Sequence, residues 1–219
     1  MSFLNKSLII LAVLAAYIAV AVFAVNERTP SDQVCQLSKK EPADGTQNRN
    51  GSCVQTVLGE IPDVDHMIST LIRFPVNNDV ICANEPFTIK TESFNLLTGF
   101  FDDPVNEYYI FPQTLDDNLG QIQGHSHITV QKLLGNDIPD PRIFAFFKGL
   151  NDKAIDGILS VLVEKGLPVG NYRACTMVSS FAHQCVLMPV AQRGSQDDCV
   201  RFKVVERKNN ANKNNCRVN

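Results

Sequence analysis

From residue 67 to residue 205 the chain keeps returning to alternation of period two, and each run is short before a turn signal cuts it. The cuts are LLTGF, FDDP, LDDNLG, NDIPDP, KGLPVG and QRGSQDD, where Gly, Pro, Asp and Asn supply the backbone angles and local hydrogen bonds that turns require. The runs between them predict strands at Met67–Phe74, Phe87–Phe94, Glu107–Phe111, Ile122–Leu133, Ile143–Phe147, Gly157–Val163, Asn171–Val178, Cys185–Val190 and Val200–Val205. Only DKAIDGILSVLV offers a helical reading, and Gly157 with its β-branched neighbours weighs against it. Short strands at such spacing cannot bury their faces singly. They specify an all-β fold, an antiparallel β-sandwich of immunoglobulin-like or jelly-roll-like type.

The flanks of this region are of different character. Lys6 precedes an uncharged run from Leu8 to Val25, and small residues at Ala19 and Ala21, or at Val22 and Ala24, suit cleavage. Residues 1–24 therefore read as a signal peptide. Left uncleaved, the run is long enough to act as a membrane anchor, since about 20 apolar residues span a bilayer. Residues 25–60 read as a flexible leader, 61–206 as the β-sandwich domain, and 207–219 as a disordered tail rich in Asn and Lys. An extracellular or secreted location is expected from this organisation.

Charge excludes one class of partner. The chain has 20 basic and 23 acidic residues, and loss of Lys6 with the signal makes the balance more acidic. No basic stripe is available to track phosphates, so nucleic acid is not an expected partner. All seven cysteines lie beyond the signal, where an oxidising compartment should pair them. Cys35, Cys53, Cys82, Cys175, Cys185 and Cys199 are the disulfide candidates. Cys216 is the expected odd one, because its tail has nothing apolar to hold a partner. Asn50, in Asn50-Gly51-Ser52, is a glycosylation acceptor in a polar stretch.

The chemistry, if any, is concentrated in QIQGHSHITVQ, residues 121–131. Alternation places His125 and His127 on one face with Gln121, Gln123, Thr129 and Gln131, opposite Ile122, Ser126, Ile128 and Val130. The apolar set should meet the core and both histidines should look outward, as a polar surface row. The rival reading is a metal site for copper, zinc or iron, in which HxH sets two imidazoles side by side and His183 in SFAHQC supplies a third ligand. GHSH followed by GLPVG is similar to the HxH and PxG elements of the cupin barrel. However, Ile128 to Leu134 contains no acidic ligand, and Asn171 and Tyr172 stand where a further histidine would come.

No catalytic set is complete. There is no GxSxG elbow, and Ser195 with Asp197 and Asp198 reads as a hairpin loop. Asp102-Asp103 and Asp116-Asp117 sit in turns. Phe144, Phe146 and Phe147 read as core, and Tyr108-Tyr109 as core or as a platform for stacking sugars. No catalytic and no cofactor-binding residue is therefore expected, apart from the metal alternative.

The strings EPFTIK, GQIQGHSHITVQKL, FAFFKGLN, GLPVGNYRACTM and PVAQRGSQDDCVRF, in that order from about Pro86 to Val204, resemble a family of secreted fungal proteins marked by GHSH. Residues 26–80 lie outside the resemblance, and the cysteines are more numerous than is typical of it. Some members carry the label of a small-subunit ribosomal protein, which an acidic, exported, cysteine-rich chain contradicts. The resemblance implies a secreted fungal protein without an assigned activity. Together with the residues it leads to two expectations: a non-catalytic β-sandwich contacting cell-wall polysaccharide or a host surface molecule, or a metal-dependent, cupin-like oxidoreductase using His125, His127 and His183.

Overall fold

The computed structural model describes residues 33–207 and 216–217. The signal peptide expected over 1–24 and most of the 207–219 tail fall outside the described residues. Among those described, no helix is long and apolar enough to cross a membrane.

Residues 33–43 and 50–55 belong to a small unit of their own. It holds the helix α1 (Val34–Leu37) and the disulfide Cys35–Cys53. The amide of Cys53 donates to the carbonyl of Glu41, and the amide of Ala43 donates to the carbonyl of Cys53. Part of the segment read as a flexible leader is thus cross-linked and hydrogen-bonded. Asn50 is exposed there, and its carbonyl accepts from Lys40.

In the remaining unit nearly all of the regular secondary structure is strand, as the alternation demands. Its elements are β1 (Ser69–Phe74), β2 (Val80–Cys82), β3 (Phe87–Phe94), β4 (Leu96–Thr98), β5 (Ile122–Leu133), β6 (Phe146–Leu150), β7 (Ile158–Val163), β8 (Gly170–Ser180) and β9 (Cys199–Val205). One sheet runs β1-β3-β7 and the other β2-β9-β8-β5-β4, with β6 pairing β5 beyond β4. The long pairings are antiparallel, while the short ones of β2 with β9 and β4 with β5 are parallel. The fold is therefore a sandwich of sheets with a mixed rather than purely antiparallel ladder.

Alternate residues of the two sheets meet in one core. Ile72, Phe87, Ile89 and Val163 come from the first sheet, and Ile128, Val130, Tyr172, Phe202 and Val204 from the second. A smaller cluster of Ile68, Leu96, Ile122, Val178 and Val186 continues it. Burying such side chains contributes roughly 1.5–3 kcal/mol each. Tyr172 keeps its hydroxyl satisfied by donating to the Pro168 carbonyl at 2.8 Å. In GLPVGNY, the tyrosine therefore fills the core and closes the preceding turn with the same side chain.

Two expectations about cysteine are corrected. Cys216 is bonded to Cys82, and Cys185 is free and exposed, while Cys175 pairs with Cys199 across β8 and β9. The cause is tertiary. The Arg217 amide donates to the Val80 carbonyl and its carbonyl accepts from the Cys82 amide, so the chain after the tail returns to strand β2. Arg217 also pairs with the buried Asp79 at 3.0 Å.

Two predicted strands are absent. Residues 107–111 are turn and coil, and 185–190 form only an isolated bridge, Ser179 with Cys185. Both segments are apolar enough for strands, but they run as loops across the second sheet's outer face. Phe144 and Phe147 are likewise not core: both are largely exposed, and only Phe146 packs against the core.

Candidate metal centre

Strand β5 is central, with β8 on one side and β4 followed by β6 on the other. The sequence expectation that His125 and His127 are solvent-facing is wrong on this point. His125 is 0% and His127 9% exposed. They do lie on the face away from Ile128 and Val130, but that face is roofed. The amide of Asp102 donates to the Phe181 carbonyl and that of Tyr109 to the Ala182 carbonyl, which ties residues 100–111 to residues 181–187. Alternation reports which face a residue takes, not whether another segment covers that face.

Gly124 explains the first letter of GHSH. A Cβ there would collide with the carbonyl of Ser179 on β8. The close approach lets β5 and β8 stay paired from Gly124–Ser180 onward, which sets His125 opposite Ser179 and His127 opposite Met177. His183 follows β8 in a tight turn in which its own amide donates to the Ser180 carbonyl and the Ser180 amide to that of Gln184. Its φ of 70° lies in the left-handed region. Outside glycine that region is sparsely used, and such strain persists where surroundings over-determine it, often at functional sites.

Gln113 holds this second loop in place, and nothing in the sequence singled it out. It is fully buried, its amide nitrogen donates to the Glu60 carbonyl at 2.6 Å, and its amide oxygen accepts from the Leu187 backbone at 2.9 Å.

The result is a three-imidazole cluster. One ring nitrogen each of His125, His127 and His183 lies within 4.8 Å of the others. Ring centroids are 4.7 Å apart for His125–His127, 4.5 Å for His125–His183 and 5.5 Å for His127–His183. Among the described residues no carboxylate or thiol joins the group.

Hydrogen bonds fix the tautomers of two rings. Nδ1 of His125 lies 3.1 Å from the Phe100 carbonyl and Nδ1 of His127 lies 3.1 Å from the Met177 carbonyl. A carbonyl only accepts, so each Nδ1 carries the proton and each Nε2 keeps its lone pair. Nε2 of His125 is buried and has no partner among the described residues, and neither has Nδ1 of His183.

Burial keeps these rings neutral. It is the main cause of a lowered pKa at all three, and mutual repulsion adds to it at His125 and His183. His125 is pushed down to about 3 and His183 to about 4. At His127 the Met177 carbonyl and the Asp197 carboxylate oppose the shift. Asp197 itself is pushed up by burial, although it accepts from the Val178 amide and the Thr176 hydroxyl. Ser195 and Asp198 serve the neighbouring hairpin, with the Asp198 carbonyl bonded to the Thr176 amide.

Beside the cluster lies a cavity of about 440 Å³, into which His127 and His183 face together with Phe101, Tyr108, Tyr109 and Phe147. The tyrosine pair, 4.1 Å between centroids, lines this space. A slightly larger hollow of about 500 Å³ lies elsewhere, bordered by Lys90, Lys148 and Lys153, and holds none of the histidines.

Comparison with known proteins gives the same span. The family model described as CLU5d N-terminal domain matches residues 70–205, which takes in both sheets and all three histidines. A protein of Colletotrichum graminicola described as "Pathogenicity cluster 5 protein d" is 45% identical over 166 residues, covering 73% of this chain and 34% of the relative. The chain thus spans about a third of that relative's length. The fungal part of the resemblance agrees with these matches, and the three disulfides fit an oxidising, extracellular setting.

Proposed function

The chain belongs to the CLU5d N-terminal domain family, and from that premise we propose that its sandwich is a metal-binding domain in which His125, His127 and His183 hold one divalent cation. The observation that carries this is the buried, lone-pair-bearing Nε2 of His125, which has no partner among the described residues. A buried acceptor left unsatisfied costs about 1–3 kcal/mol, and a cation in the middle of the three rings would remove that cost.

The donor set selects the ion. Neutral imidazoles suit zinc and copper, whereas non-haem iron sites usually add a carboxylate, which this group does not contain. Metal–nitrogen bonds of about 2.0–2.1 Å need donors within about 4 Å of one another, and the three ring nitrogens already lie within 4.8 Å. The Nδ1 bonds to the Phe100 and Met177 carbonyls orient the ligands, as partners of metal-bound histidines do. Three protein ligands leave a further position to solvent or substrate, the arrangement of catalytic rather than structural zinc.

The relative's name speaks of a pathogenicity cluster, and we extend to this chain a role for the fungus outside the cell, in contact with a host. The wall polysaccharide or host surface molecule expected from sequence has no particular residue of the structure to carry it. Elemental analysis of the secreted, untagged protein tests the reading. One equivalent of zinc or copper, lost in His125→Ala, is expected; absence of metal from a folded protein supplied with both ions would overturn it.

A further inference from the structure

Resting on the metal reading above, we infer that the cavity beside the cluster is a pocket for a small, planar, uncharged aromatic molecule of the phenol class, its oxygen directed at the metal. The volume of about 440 Å³ lies within the range of small-molecule sites, and a dry cavity of about 150 Å³ already accepts benzene. One or two rings therefore fit.

The walls define the chemistry. Phe147 stacks on His127 with centroids 5.6 Å apart and planes inclined by 27°, and Tyr108 stands 5.8 Å from His183. Phe101 meets the edge of His125 at 6.0 Å. Aromatic faces arranged around metal ligands favour a flat ring over a puckered one. Among the described residues no lysine, arginine, aspartate or glutamate lines the cavity. A charged ligand would find no ion-pairing side chain there except the imidazoles and the metal they hold. Gln47, Asn151, Ser179 and the hydroxyls of Tyr108 and Tyr109 provide polar contacts for ring substituents. Cys185 also lines the cavity and is exposed, so its thiol reports on occupancy.

The experiment uses the full secreted chain, zinc-loaded and metal-free, titrated calorimetrically with phenol, cyclohexanol and azide. Phenol is expected to bind the loaded protein once per chain, at least about tenfold more tightly than cyclohexanol, and to slow alkylation of Cys185 by iodoacetamide. Phe147→Ala should weaken phenol about tenfold while leaving zinc content and azide binding unchanged. Tyr108→Leu, a second variant at a partly exposed site, should do the same. Equal affinity for phenol and cyclohexanol, indifference to both variants, or binding of azide alone would each overturn the inference. A chain that takes up zinc but fails these tests leaves the metal reading standing and removes the pocket. A chain that takes up no zinc yet binds phenol, with loss in Phe147→Ala, removes the metal reading and supports the pocket.

Discussion

The two faces of strand β5 are both buried, yet they are buried in different ways. Ile128 and Val130 are fully buried and pack in the apolar core that both sheets share, although Thr176 and Lys148 flank Ile128 along the ladder. His125, three residues from the core position Ile128, is as deeply buried, but its surroundings are imidazoles, a backbone carbonyl and an aromatic edge. The first face gains from being dry. The second carries a polar nitrogen without a partner among the described residues, and three rings forced to stay neutral, which is a cost to folding unless something else offsets it. A face that stays polar although a loop covers it argues for chemistry rather than packing.

Mutation should separate the faces most sharply. Ile128→Ala is expected to cost about 2–5 kcal/mol, by loss of transfer energy and a residual cavity, and to cost the same with and without added zinc. Thermal unfolding in both conditions checks it. A penalty that depends on zinc would mean that the two faces are coupled and that the core side is not merely packing.

His125→Ala should behave in the opposite way. With zinc at about a hundred times its dissociation constant, the native protein gains about 2.7 kcal/mol by mass action, and this gain should vanish in the variant. Without zinc the loss should be smaller than that of Ile128→Ala, because the missing ring also removes an unsatisfied nitrogen. Equal destabilisation of the two variants in metal-free buffer would break the comparison, since the imidazole would then be acting as core.

Acid sharpens the contrast further. His125 and His183 have folded-state values near 3 and 4 against an ordinary 6.5. Between about pH 6.5 and 4 the unfolded chain therefore binds more protons than the folded one at these sites. Stability rises with pH across this window and is lost as pH falls through it. The metal-free protein should melt at lower temperature at pH 4.5 than at pH 6.5. The dependence should flatten in His125→Ala and persist in Ile128→Ala. A slope unchanged by removal of the imidazole would assign the acid sensitivity to other groups.

Much of the sandwich was legible because strand alternation is local. Residues 87–94 and 122–133 read as strands from sequence and are strands. His183 could be named from residue type alone, but the turn that places it beside His125 is closed by the backbone of Ser180, and the loop beyond is held at Leu187 by Gln113, distant in sequence and carrying no motif. The roof was misread for a related reason. Tyr108 to Phe111 and Val186 to Met188 have strand-like composition, yet aromatic and apolar side chains also serve a loop that must cover a sheet. Cys216 was misassigned because its partner Cys82 is 134 residues away, and only the returned backbone at Val80 and Arg217 shows the pairing.

Cys185 carries the smallest expected effect and the most exact test of what the polar face is for. It is free, exposed, two residues from His183 and part of the cavity wall. Thiolates are strong ligands for zinc and copper, so a cysteine so placed invites a mixed site. The geometry argues otherwise, because the group of mutually close ligand atoms contains the three histidines and not this thiol. Cys185→Ser should therefore change stability by no more than about 0.5 kcal/mol, as surface substitutions usually do, and should leave zinc stoichiometry untouched. In the cobalt-loaded protein, the strong near-ultraviolet charge-transfer band of a thiolate ligand should be missing from the native spectrum as well as from the variant. Such a band in the native protein, lost on substitution, would make the centre a three-histidine, one-cysteine site. It would close the position that the cavity is argued to serve, and the polar face would be structural after all.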